Sequence, residues 1–390
     1  MLRLAWLIPA LVGTVGGAWA AEPITIGEIN SRTGVLAVQG TAVHEGIRLA
    51  LEETNARGGI GGRLVALLSR DDEGKPERAI AAAEELASHQ RAVALIGGYG
   101  DSLVGPVSEV ADRSRIPYLA TASLDERLAL RGNRFFFRIS SLASYAKVTT
   151  GIVLEVFRAR NVAILYSSTP GASQLARRQK EALEQAAVRV SVFEPFAPGL
   201  SDFAPLLARV RDRGADVLLS DTFFADHLLL VRQMAQAGVA PKAFLGAFGM
   251  EFPGVIRELG SASEGLYGTT AWQPGVYVGG NAKDSQAFTE AFLRRVGREP
   301  APLAMHGYAA ARTLLRAIEA VVAGGKPLTG EALREALVRS DVETPLGRVK
   351  FDDNGDPLFY ERVVIQIQRG RYVVVYPRER ATAGARYPAR

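Results

Sequence analysis

The stretch Ala92–Ser123, AVALIGGYGDSLVGPVSEVADRSRIPYLATAS, limits what this chain can fold into more than any other. Val93–Ile96 and Ile116–Leu119 are apolar runs with the length and composition of buried strands. Each stops at small or turn-forming residues, Gly97–Ser102 after the first and Ala120–Ser123 after the second. Between them, Leu103–Arg115 carries Val104, Val107, Val110 and Ala111 at helical spacing. A strand, a helix and a strand over this length predict a right-handed crossover joining parallel strands. In such sheets ligands sit beyond the carboxyl ends of the strands, where small residues admit backbone and helix N-termini point inward. The stretch therefore predicts one wall of a ligand cradle.

The same alternation runs through most of the chain. Ile24–Ile29 reads as a strand, followed by a polar loop and a helix over Gly40–Ala56 with Val43, Ile47, Ala50 and Leu51 on one face. Strand Leu64–Leu68 and helix Pro76–His89 lead into the opening stretch. From Tyr145 the pattern restarts, with strands at Val162–Tyr166, Val190–Phe193, Asp216–Ser220 and Phe244–Leu245 and helices between them. A long helix over Met305–Ala323 and a terminal hairpin series, Tyr360–Gln368 with Arg371–Tyr376, complete the order.

A chain of 390 residues exceeds one ordinary core and suits two lobes. The breaks predict crossings near Ser140, Thr270 and Pro345. They assign 21–140 and 271–345 to a first lobe, 141–270 and 346–376 to a second, and 377–390 to a tail. The expected fold is α/β, two Rossmann-like lobes joined by a three-segment hinge with a ligand cleft between them.

The N-terminus predicts an export signal rather than structure. Met1-Leu2-Arg3 is a positive start, Leu4–Val15 an apolar core too short to span a bilayer, and Ala18-Trp19-Ala20 a small-x-small cleavage site. Residues 1–20 are thus a predicted signal peptide. No later apolar run has the length of a membrane helix, so no stable membrane insertion is expected. The absence of cysteine removes disulfides, thiolate metal sites, a thiol nucleophile and a lipid-bearing cysteine. The net charge of +5 is spread along the chain, apart from Arg378, Arg380, Arg386 and Arg390 in the tail. That spread suits solubility rather than a nucleic-acid footprint.

Catalytic and cofactor patterns fail on spacing. Gly98-Tyr99-Gly100 follows a strand, but Leu103 stands where a dinucleotide fingerprint needs its third glycine. His44, His89, His227 and His306 have no histidine neighbour at helical spacing, so a zinc pair is not expected. The first three read as surface or satisfied side chains, and His306 as the one able to face the cleft. Asp71-Asp72-Glu73 reads as a solvated turn beside the hinge. Asp352-Asp353-Asn354-Gly355-Asp356 lacks the terminal glutamate of a calcium loop and predicts a type I′ turn at Asn354-Gly355. No nucleophile–base pair emerges, and neither enzyme activity nor a cofactor is expected.

Taken together, ITIGEINSRTGVLAVQG, NARGGIGGRLV, RDDEGKPERA, ALIGGYGDS and IPYLATAS resemble, in that order, the leucine/isoleucine/valine-binding proteins. ADVLLSDTFFADHLLLVRQMAQAG and TPLGRVKFDDNGD extend the resemblance, which covers Ile24 to Tyr376. It implies the type I periplasmic binding protein fold of ABC-transporter solute receptors, closing around a small molecule and presenting it to permease subunits. By the same resemblance the ligand-binding positions are Gln39, Tyr99, Gly100, Asp101, Ser102, Ala122, Ser123, Gly171, Phe223 and Phe248.

Several of these depart from the family pattern. Asp101 stands at or beside a hydroxyl position that faces the ligand carboxylate, and Gly171 stands at an aromatic position. Phe248 replaces the acidic residue that pairs with the ligand ammonium, with Glu251 three residues further on. A buried ammonium without a carboxylate partner is costly, and a carboxylate beside Asp101 is repelled. Together with Phe223, Phe224 and Tyr99, these departures favour an aromatic or apolar acid or amide over an amino acid. The expected protein is a monomeric periplasmic receptor of an importer, with a ligand sensor signalling to a partner as the alternative.

Overall fold

The computed structural model describes residues 22–389. The expected signal peptide lies outside the described residues. In the first lobe, β1 (Ile24–Asn30), β2 (Val65–Asp71), β3 (Ala94–Tyr99), β4 (Tyr118–Ala122) and β5 (Phe136–Arg138) form one parallel sheet in the order β2-β1-β3-β4-β5. The crossover helices are α1 (Ala37–Ala56), α2 (Pro76–Glu84) and α3 (Asp101–Ser114), with the short α4 (Arg127–Leu130) before β5.

The second lobe begins with α5 (Leu142–Ile152) and continues through β6 (Asn161–Ser167), α6 (Pro170–Gln185), β7 (Arg189–Phe196) and α7 (Ala204–Asp212). After these come β8 (Val217–Asp221), α8 (Phe224–Gln236), β9 (Ala243–Gly246), α9 (Gly254–Leu259) and β10 (Tyr267–Thr270). The chain then returns to the first lobe through a small ribbon, β11 (Trp272–Gln273) with β12 (Val276–Tyr277). There it adds α10 (Ala282–Val296), α11 (Pro302–Ala323), α12 (Gly330–Val338) and the hairpin of β13 (Asp341–Thr344) and β14 (Gly347–Lys350). It ends in the second lobe with β15 (Val363–Gln368) and β16 (Arg371–Tyr376), which complete the sheet β16-β15-β10-β9-β8-β6-β7.

Apolar side chains fill both faces of each sheet. In the first lobe Ile26, Ile96 and Leu119 meet α1 and α11, while Leu95, Tyr118 and Phe136 meet α2 and α3. In the second, Ala163, Leu165 and Leu218 face α7–α9, and Ile164, Leu219 and Leu245 face α5 and α6. Fully buried parallel strands of this kind explain why the runs are continuous rather than alternating.

Three details correct the sequence reading. The break at Thr344–Gly347 is the turn of the β13–β14 hairpin; Leu346, Val349 and Phe351 pack in the first lobe's core. The third crossing therefore lies between Phe351 and Val363 rather than at Pro345. The turn at Asn354-Gly355 is not type I′: Gly355 alone has positive φ (81°), and Asp352 Oδ1 accepts the N–H groups of Asn354 and Asp356. The described part of the tail is also packed rather than separate. Tyr387 stacks on Phe157 at 4.7 Å, and the Ala389 N–H donates to the Lys242 carbonyl at 2.7 Å.

The pair α1–α11 depends on glycine. A Cβ on Gly46 would collide with the Ala304 carbonyl, and one on Gly307 with the Val43 carbonyl. The two backbones approach as closely as they do because neither residue has a side chain there. Leu303 and His306 in the first turn of α11 are thereby held against the interlobe cleft. The Gly46→Ala variant is expected to lose about 3 kcal/mol or more, since backbone cannot yield as a side chain can. Urea unfolding monitored by circular dichroism measures the loss.

Candidate functional site

The carboxyl ends of β3, β4, β8 and β9 converge between the lobes on a cavity of about 220 Å³. Of the positions the resemblance marks, Tyr99, Gly100, Asp101, Ser102, Ala122, Ser123, Gly171, Phe223 and Phe248 all line it. Gln39 does not: it is buried in α1, with Oε1 unpartnered among the described residues. The wall also contains Tyr145, Tyr360 and Arg362, which no motif flagged, together with Glu251 and His306.

Aromatic rings span the cleft. Tyr99 of the first lobe meets Phe223 edge-on at 6.2 Å, and Phe223 lies nearly parallel to Phe248 at 6.0 Å. Phe248 meets the edge of Tyr145 at 5.1 Å, and the Arg362 guanidinium lies 3.8 Å from the centre of the Tyr145 ring. Such contacts add to plain apolar burial and set a flat, hydrophobic surface.

Behind the rings lies a buried polar cluster. Arg362, 4% exposed, pairs with Glu251 at 3.3 Å and donates to the Tyr360 hydroxyl at 2.7 Å and the Thr269 carbonyl at 2.8 Å. Burial pulls the Arg362 pKa down, but Tyr145, Tyr360 and Glu251 together outweigh it and hold it above the usual value. Burial pushes the Glu251 carboxyl upward against the opposing charge of Arg362. Burial also lowers His306 to about 4. Its Nδ1 faces the Pro302 carbonyl at 3.2 Å, which assigns the proton there. Nε2 then accepts from the Tyr360 hydroxyl at 3.0 Å. The cluster is one hydrogen-bonded chain from α11 to the third crossing.

Asp101 is the first residue of α3, yet its carboxylate points back to the loop after β4. Oδ1 accepts from the Ser123 hydroxyl (2.8 Å) and from the N–H groups of Leu124 (2.7 Å) and Asp125 (2.8 Å). Oδ2 accepts from the Gly171 N–H of the second lobe at 3.0 Å. Pro170 takes the first position of α6, where its missing N–H costs nothing. Gly171 thus presents a free helix N-terminal N–H to Asp101. Further along the same face of α6, Gln174 donates to Asp125 at 2.6 Å and accepts the Glu126 N–H at 3.0 Å, and Arg178 pairs with Glu126 at 2.6 Å. The lobes are clasped along α6.

Other expectations divide. His227 is buried in α8 with Nε2 on the Ser220 carbonyl at 3.1 Å, and His44 contacts Glu28 at 2.7 Å. Asp72 is not solvated: it is fully buried and accepts from Ser31 at 2.5 Å. No group of metal-ligating side chains is found among the described residues.

Residues 23–370 match the periplasmic binding protein family. An amino acid binding protein of Pseudomonas aeruginosa is 27% identical over 360 residues, covering 90% of this chain and 92% of its own. The branched-chain amino acid transporter substrate-binding protein LivJ of Streptococcus pneumoniae, solved with isoleucine, superposes with a TM-score of 0.82 at 19% identity. That match covers 91% of this chain and all (100%) of LivJ. A solute-binding protein of an R. palustris ABC transporter, solved with benzoate, gives 0.79 at 19% identity over 90% and 95% of the two chains.

Two outcomes follow from this geometry. A Cβ on Gly171 would strike Asp101 Oδ2 and crowd Leu124, so Gly171→Ala is expected to hinder closure. It should weaken solute binding by about ten- to a hundredfold, read by calorimetry, with a larger radius of gyration in solution scattering.

Stability should also peak near neutral pH. His227 and His306 are held near 4, below the usual 6.5, so their contribution is complete above 6.5 and is lost as the pH falls toward 4. Burial raises Asp221, at the end of β8, from 3.8 to about 8 against the Gln179 amide. The folded state alone then holds that proton, so this contribution is lost as the pH rises toward 8. Asp221→Asn is expected to remove about 2 kcal/mol of the decline between pH 6.5 and 8, measured by urea unfolding at each pH.

Proposed function

The chain belongs to the periplasmic binding protein family, and from that premise we propose that it is a solute receptor of the branched-chain-amino-acid ABC transporter type. It closes in the periplasm around a small molecule with an aromatic or apolar body and hands it to the permease subunits of an importer. The observation that carries this reading is the row Tyr99, Phe223, Phe248 and Tyr145, contributed by both lobes to one cavity.

A flat apolar solute in that cavity replaces water against rings from both lobes at once. It therefore binds the closed arrangement more tightly than the open one, and this difference in affinity shifts the population. Tyr99, Ala122 and Ser123 offer the first lobe's side of the site; Phe223, Phe248 and Gly171 offer the second's. Gly100 and Ser102 border the turn into α3, where backbone approaches the cavity. Phe248 brings no counter-charge for an ammonium group, which supports an apolar acid or amide over a zwitterion.

Isoleucine in the pneumococcal neighbour and benzoate in the R. palustris neighbour mark the range of solutes this fold encloses. The reading is tested by thermal unfolding against branched-chain amino acids, aromatic acids, amides and ureas. A true ligand at a hundredfold excess over Kd adds about 2.7 kcal/mol and raises Tm by several degrees. No change in Tm or tryptophan fluorescence with any member of the panel overturns it.

A further inference from the structure

We propose that Asp101 fills the cleft's anion-binding point with its own carboxylate, so that the receptor selects uncharged, N–H-bearing solutes such as amides and ureas over carboxylates. The proposal rests on the solute-receptor reading above. Four donors converge at this point, three from the first lobe and one from the second. Ser123, Leu124 and Asp125 serve one oxygen of Asp101, and the Gly171 N–H serves the other. A carboxylate gripped from both sides is what an acidic solute would have to supply to draw the lobes together. Here the chain supplies it. An acid entering the cavity meets donors that are already used and a fixed negative charge beside them.

The buried cation of the wall offers no second anion point. Arg362 directs Nε to the Thr269 hydroxyl (3.2 Å), Nη1 to Tyr360 (2.7 Å), and Nη2 to the Thr269 carbonyl (2.8 Å) and Glu251 (3.3 Å). Its face is covered by Tyr145. What remains is an acceptor. Asp101 itself lines the cavity, and its Oδ2 accepts the Gly171 N–H, which leaves that oxygen capacity for a second donor. A planar amide or urea matches this arrangement: its flat face suits Tyr99, Phe223 and Phe248, and its N–H can donate to that oxygen without bringing a charge. Asp101 is thus a specificity-determining residue that keeps acids out while clasping α6.

The test uses the mature chain and isothermal titration with acid–amide pairs of matched shape: benzoate and benzamide, phenylacetate and phenylacetamide, isovalerate and isovaleramide. The wild type is expected to bind the amide of a pair at least about a hundredfold more tightly than the acid. Asp101→Asn removes the charge while keeping the shape, and should narrow that ratio to about tenfold or less. An unchanged ratio in folded D101N overturns the proposal, and if D101N does not fold the wild-type ratio decides alone. Wild-type protein that binds an acid as tightly as its amide, or that binds leucine and no amide, overturns the proposal and leaves the receptor reading standing. Failure to bind any compound of this set or of the wider panel removes both.

Discussion

The backbone of Ser123–Asp125 is hydrogen-bonded on both sides, and the cleft depends on that. Its N–H groups at Leu124 and Asp125 face the Asp101 carboxylate. Its carbonyls at Ser123 and Asp125 face the Arg138 guanidinium, with Ser140 adding a hydroxyl to the first of them. Arg138 is almost completely buried and spends its other nitrogens on Asp356, at 2.6 and 2.9 Å. A buried guanidinium is tolerated only when its donors are met. Meeting them ties the first crossing at Ser140 and the third at Asp356 to the same loop that forms the cleft wall. Hinge and site are therefore one hydrogen-bonded unit, and movement at the crossings is felt at Asp101.

The second lobe answers with a different kind of surface. Phe223 and Phe248 come from the ends of β8 and β9, and Tyr145 from the first turn of α5. None brings a charge to the cavity. The charges that are present, on Arg362 and Glu251, are turned toward each other and toward Tyr360 and Thr269. This arrangement shields the ion pair from water and keeps its neighbours ordered. It also explains how a cavity lined by Asp101, Glu251, His306 and Arg362 remains mainly apolar.

The strands and crossover helices were legible because parallel strands buried on both faces leave continuous apolar runs, as at Val217–Leu219 and Ala94–Ile96. Some helices went unread although they carry ordinary end signals: α10 has Asn281 capping Asp284 and a left-handed Gly297 after its last turn. From sequence the hairpin β13–β14 reads as a lobe boundary, because proline and glycine of the kind at Pro345 and Gly347 are equally common at turns and at linkers. Nine of the ten positions marked by resemblance face the cavity, since loop order along a sheet's carboxyl edge follows from strand order alone. Arg362 and Tyr360 were invisible, because a charged residue beside an apolar strand reads as a surface end. Only the third crossing carries them into the cleft.

The sequence by itself determined the two α/β lobes, the presence of a cleft and the loops that wall it, because hydrophobic periodicity and small residues at strand ends are local properties. Which way the polar side chains turn within that cleft was decided by the tertiary structure alone. Asp101 reads in the sequence as an acidic residue facing a ligand. In the fold it faces Ser123, Leu124, Asp125 and Gly171, from segments up to 70 residues away, because their unpaired donors meet at one point only when both lobes are packed.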